Sequence, residues 1–219
     1  MVAFVRDCAF QIGWRRHSRS LKKLALTAWL ALCIALLVQG ASASPATEAF
    51  IQQNFDKGYA ILNSPSLSDA QRRGQFRTLL LQLAASRRVA LFALGPYASG
   101  ATPAQLDAFV DAFTAHVVSL YEKGLSRYNG EALKVTASTD RGADDSMVQA
   151  DIIEPDRSSR QSVNVAFRVR PNENGRLTVT DIQIGGLSLA TIARVEIGAL
   201  MLQSNGSISE LNSRLSAMR

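Results

Sequence analysis

The chain has 219 residues, 47% of them hydrophobic and 19% charged, which supplies one sizeable core and excludes a charge-rich disordered chain. Its formal charge of +6 belongs to one end: six of the 24 Lys and Arg precede residue 24, against the single acid Asp7, leaving 18 basic and 17 acidic residues from Ser44 onward. A near-neutral body gives no electrostatic case for nucleic acid as a partner.

Residues 1–43 read as a targeting segment. Arg6, Arg15, Arg16, Arg19, Lys22 and Lys23 form a basic region, Leu24 to Val38 an apolar run, and Ala41-Ser42-Ala43 an A-x-A cleavage signal. The run falls short of the roughly 20 residues that span a membrane. The expectation is a cleaved signal peptide over 1–43 and a single domain over 44–219, with an uncleaved anchor as the alternative. Both cysteines, Cys8 and Cys33, lie in the leader. The body therefore has no disulfide and relies on its hydrophobic core, a pattern consistent with export to a bacterial periplasm.

Ser44-Pro45 opens a first helix with the stripe Ile51, Phe55, Tyr59 and Leu62, closed by Asn63-Ser64-Pro65. Ser68 caps a second helix, Gln71 completes a capping box, and Phe76, Leu79, Leu80 and Leu83 form the apolar face. A short helix runs from Ser86 to Leu94, where Gly95 is expected to take a left-handed cap and Pro96 to stop the ladder. The long helix that follows has Thr102 as N-cap, Pro103 at its first position and Gln105 closing a second box. Its stripe is Leu106, Phe109, Val110, Phe113, Val117, Leu120, Tyr121, Leu125 and Tyr128, and Asn129-Gly130 is expected to end it.

The texture then changes to strands: Leu133 to Ala137, Met147 to Ile153, Ser162 to Val169 and Leu177 to Ile184. The third alternates most clearly, with Val163, Val165, Phe167 and Val169 on one face. Thr139 to Ser146, with Asp144-Asp145, reads as a polar loop. Gly185-Gly186 leaves the sheet, and a helix from Leu189 carries Ile192, Ala193, Ile197, Leu200 and Met201. Ser207 and Glu210 suggest a third box before a last helix with Leu211 and Leu215. Helices, an antiparallel meander and helices again make an α+β fold, with helices on one face of a curled, mainly antiparallel four-stranded sheet.

Reactive chemistry is sparse. No Cys follows the leader, and His116 is the sole His there, so a histidine-rich metal site or thiol catalysis has no material. No G-x-S-x-G elbow, P-loop or dinucleotide fingerprint occurs. His116 reads as an ordinary boundary residue and Asp144-Asp145 as a solvated turn. The chain is rich instead in apolar faces, which in a plain reading form one core.

Ala93-Leu94-Gly95-Pro96-Tyr97, then Ala101-Thr102-Pro103-Ala104-Gln105, then Phe109, Phe113, Tyr121, Leu125, Tyr128 and Gly130, resemble the MlaC or toluene-tolerance family. Asp181-Ile182, Gly186-Leu187-Ser188-Leu189 and Arg194 extend the likeness, which covers Phe76 to Leu215. The resemblance implies a periplasmic phospholipid carrier, not an enzyme. It implies an apolar cavity between helices and sheet, and shuttling of lipid between an outer-membrane complex and an inner-membrane ABC transporter with an MCE-domain protein. Its cargo is a phospholipid or related lipid, with no cofactor. One branch of the family is associated with hopanoids, and the residues leave that choice open. The facing stripes nominate Phe109, Phe113, Val117, Leu120 and Tyr121, then Val163, Val165 and Phe167, then Leu187, Leu189, Ile192 and Leu200 as lipid-lining residues. Two other readings are an enzyme on a similar cone-shaped α+β fold and a membrane-anchored scaffold that keeps its leader.

Overall fold

The structure is a computed structural model that describes residues 44–125, 128, 130–153 and 163–218. The expected signal peptide, its cleavage point, Asn129 and the turn at 156–159 lie outside the described residues. Residues 41–219 close into one unit. Its order is α1 (Pro45–Leu62), α2 (Asp69–Leu83), α3 (Ser86–Leu94), a 3-10 segment (Gly95–Gly100) and α4 (Pro103–Leu125). Strands β1 (Ala132–Gly142), β2 (Asp145–Ile153), β3 (Val163–Pro171), β4 (Leu177–Ile184) and β5 (Leu187–Ser188) follow, then α5 (Leu189–Gln203) and α6 (Ile208–Ala217).

The caps form where the side chains require them. Ser68 and Gln71 make a full reciprocal box, and so do Thr102 and Gln105, with the Thr102 amide donating to Gln105 at 2.9 Å and the Gln105 amide to Thr102 Oγ1 at 3.3 Å. Ser207 accepts from the Glu210 amide, which is half of such a box. Gly95 departs from expectation. Its φ of 62° is paired with ψ of −133°, outside the left-handed helical well and in space open to glycine. A Cβ there would come within 3.2 Å of the Arg194 guanidinium, which itself lies over the Phe92 ring. Pro96 is then the second residue of the 3-10 segment instead of simply ending a helix. The α4 helix stops at Leu125, giving it a length of roughly 35 Å.

The sheet has five antiparallel strands in the order β1-β2-β3-β4-β5. It has one strand more than the sequence suggested, because Gly185-Gly186 turns the chain back through the two-residue β5 before α5 begins. The stretch 139–146 is also no loop. β1 and β2 run on into a tight hairpin, and Asp145 lies in β2 with its carboxylate forked onto Arg168 at 2.8 and 2.6 Å. That hydrogen-bonded guanidinium holds the Asp145 carboxyl below its ordinary range.

The apolar faces do not merge into one core. A helical cluster takes Ala90, Leu94, Phe109, Phe113, Ile197, Met201, Leu211 and Leu215 from α3, α4, α5 and α6. A second joins Ile51 of α1 to Leu133, Val148, Ala150, Val165, Phe167 and Val169 of the sheet, with Phe55 edge-on to Phe167. The two halves meet through α2, α3 and α5 against β4, where the Ala85 amide donates to the Val179 carbonyl at 3.0 Å.

Candidate functional site

Register decides which side chains share the covered face of the sheet, because residues directly opposite each other in an antiparallel pair point the same way. One row across that face is Val135, Ala150, Val165, Ile184 and Leu187; the next toward the sheet end is Leu133, Ile152 and Val163. Exposure climbs along both. Ala150 and Val165 are buried, Ile184 is 42% exposed and Leu187 66%, while Val163 is 41% exposed. Helix α1 covers the β1 side, tied down by Gln52 to the β1 backbone at Val135 and by Glu48 to Ser138. Among the described residues, nothing comparable covers the β3–β5 corner. Val163, Ile184 and Leu187 form an open apolar corner on the inner face, and the chain leaves it directly into α5, where Ile192 is also exposed.

The twelve residues nominated from sequence fall into separate places. Phe109 and Phe113 are buried in the helical cluster, with Val117 and Leu200 packed against it. Val165 and Phe167 are buried in the sheet cluster. Val163 and Leu187 share the inner face at the corner, on β3 and β5, Leu189 is half-buried and Ile192 is exposed at the start of α5, and Leu120 and Tyr121 are exposed near the end of α4. Tyr121 combines 38% exposure with a phenol pushed above its ordinary pKa by burial. Ile184 was missed. The strand Leu177 to Ile184 loses its alternation at the bulge opposite Arg168 and Val169, which puts Val179 and Ile182 on one face despite odd spacing.

The polar groups are structural. Asp181 faces outward beside Arg168 and accepts the Ala190 amide at 3.0 Å, capping α5. Tyr128 stacks on Tyr59 with ring centroids 6.5 Å apart and accepts from Asn63 at 3.1 Å. Burial and the neighbouring Tyr128 push the Tyr59 phenol up to about 12. Among the described residues, no group of three His, Cys, Asp or Glu side chains is placed to hold a metal ion, and no helix is long and apolar enough to cross a membrane. A groove of about 420 Å³ on the outer sheet face has a mixed lining, polar at Thr139, Arg141, Gln149, Asn164 and Gln183 and apolar at Met147 and Ala166.

The sequence profile of the MlaC protein family matches residues 52–217. The chain belongs to the MlaC family. Among solved structures it is similar to a phospholipid-binding protein from Ralstonia solanacearum, which was determined in complex with a phospholipid. The two share 22% identity and a TM-score of 0.64, over 78% of this chain and 95% of the other. At that identity the likeness establishes the fold, and within this MlaC-family fold the open corner is one apolar surface left exposed once both cores are packed.

Proposed function

We propose that this MlaC-family chain is a periplasmic lipid carrier that binds phospholipid acyl chains at the β3–β5 corner and passes lipid between outer-membrane and inner-membrane complexes, the latter an ABC transporter with an MCE-domain protein. The observation that carries the reading is the open apolar corner of Val163, Ile184 and Leu187 on the inner sheet face, beside the buried Val165. Family membership and the phospholipid bound by the Ralstonia solanacearum protein support it. The exposed Ile192, in the first turn after β5, supplies further apolar wall. Removing acyl CH₂ groups from water gains about 0.8 kcal/mol each. Two long chains would thus gain more than 20 kcal/mol, at the ceiling of non-covalent affinity. Release into water is then negligible, whereas exchange into another apolar site is close to isoenergetic. Hand-off by contact follows, with no catalytic step.

The test is native mass spectrometry of protein purified from its own host, with extraction and identification of what co-purifies. A phospholipid in stoichiometric amount supports the reading, and a hopanoid would redirect it to that branch. Protein that carries no lipid and takes none up from vesicles refutes it.

A further inference from the structure

We propose that β5 and the first turn of α5 form the movable edge of the apolar corner, and that Asp181 is the positioning residue that latches this edge shut. The consequence for lipid rests on the carrier reading; the latch itself does not. The edge is lightly attached. β5 pairs with β4 at Gln183–Ser188 and Ile184–Leu187 alone. The turn before it is Gly185 at φ 57° and Gly186 at φ 82°, and no atom lies within 4 Å of where a Cβ would stand on either. The body of α5 is anchored deeper in the helical core by Ile197 and Met201. The first turn is thus flanked by an unpacked hinge on one side and a fixed helix on the other.

Two side chains cap that turn, and they differ in what they join. Ser188 accepts the Thr191 amide at 3.1 Å, but it travels with the segment. Asp181 accepts the Ala190 amide at 3.0 Å from β4, so its bond ties the turn to the sheet. A carboxylate there also meets the positive end of the helix. Asp181 is itself held in place: it lies opposite Arg168 across β3 and β4, and Arg168 is forked onto Asp145 of β2. Segments with few buried contacts open locally at low cost. When the Ala190 bond breaks, Leu187 swings away from Ile184 and Val163, and the corner widens enough for an acyl chain to pass.

The test is Asp181→Ala, with Asp181→Asn, which keeps the Oδ1 acceptor without the charge, as the milder variant should the first fail to fold. Hydrogen exchange on the empty protein should rise about fivefold at amides 187–192, the ratio expected for loss of one N-terminal cap, with β2 and β3 unchanged. Transfer of a fluorescent phospholipid from loaded protein to phosphatidylcholine vesicles should accelerate by the same factor. Asp181→Asn should fall between wild type and Asp181→Ala in both. Unchanged exchange at 187–192, or a rise spread over the whole sheet, overturns the latch. A local rise without faster transfer overturns its gating role. Since the exchange arm needs no lipid, a protein that binds no phospholipid refutes the carrier reading while the latch is still decided.

Discussion

Leu187→Asp separates a lipid-covered surface from ordinary exposed leucine. In the protein alone Leu187 is 66% exposed. Roughly 100 Å² of apolar surface is therefore available to a ligand, worth about 2.5 kcal/mol at 25 cal/mol per Å². That is about a 60-fold loss of affinity for phospholipid, before the further penalty of pressing a carboxylate against hydrocarbon. The empty protein loses little, because exposed substitutions stay within about 0.5 kcal/mol. The assay is paired: lipid content by extraction and reloading from vesicles, and thermal unfolding of delipidated protein. The expected result is an unchanged melting temperature for the empty variant, loss of co-purified lipid, and disappearance of the rise in melting temperature that loading gives the wild type. Leu202→Asp is the control. It is 74% exposed on the same helix as Ile192 but about 15 Å further along, and it should retain lipid. A Leu187→Asp protein that carries and reloads lipid like wild type would show that the corner is not the site.

Other outcomes follow from the same structure. Phe109→Ala, at a fully buried position of the helical cluster, should cost about 3–5 kcal/mol in denaturant unfolding, equally in empty and loaded protein; a loss confined to the loaded form would place Phe109 at the lipid instead. Asp145 has its folded pKa depressed by Arg168, so its contribution is present above the unfolded value near 4 and fades as pH falls through the lower folded value. Asp145→Asn should cost about 1 kcal/mol at pH 7, because a third of the Arg168 side chain remains in water, and should flatten the acid limb of a stability–pH curve below pH about 4. Tyr59 has its folded pKa raised to about 12, so it stabilises the folded state below the unfolded value near 10 and that contribution is lost between pH about 10 and 12. Tyr59→Phe should remove that alkaline slope in circular-dichroism melts.

Much of the fold can be read from local signals that the structure obeys: the boxes at Ser68 and Thr102, the alternation from Val163 to Val169, and the Asn205-Gly206 stop, where both residues take positive φ. These depend on neighbours in sequence. The site is less legible, because it depends on pairings between distant segments. Periodicity shows that the α4 stripe and the β3 face are both apolar, but not that Phe109 joins Leu211 and Leu215 in the helical cluster while Phe167 meets Phe55 of α1. The Thr139–Ser146 stretch misleads for a related reason. Its polar residues look like a loop, yet Arg168 from another strand makes Asp145 a stable strand residue. Ile184 was hidden by one bulge, since an extra residue flips the face of everything beyond it.

Separate cores have a consequence for how a carrier of this kind holds its shape without cargo. The helical cluster is completed by α3, α4, α5 and α6 packing on one another, and the sheet cluster by α1. Both are built from buried side chains of the chain itself, so an empty protein is expected to keep both. The corner differs, since Ile184 and Leu187 contribute apolar surface that no element of the described chain covers. On the proposed reading, lipid at the corner adds stability at the edge where β4, β5 and α5 meet and leaves the rest as it was. A carrier built this way can be emptied by an acceptor without unfolding, and its loaded and empty forms differ most at the segment through which the lipid passes.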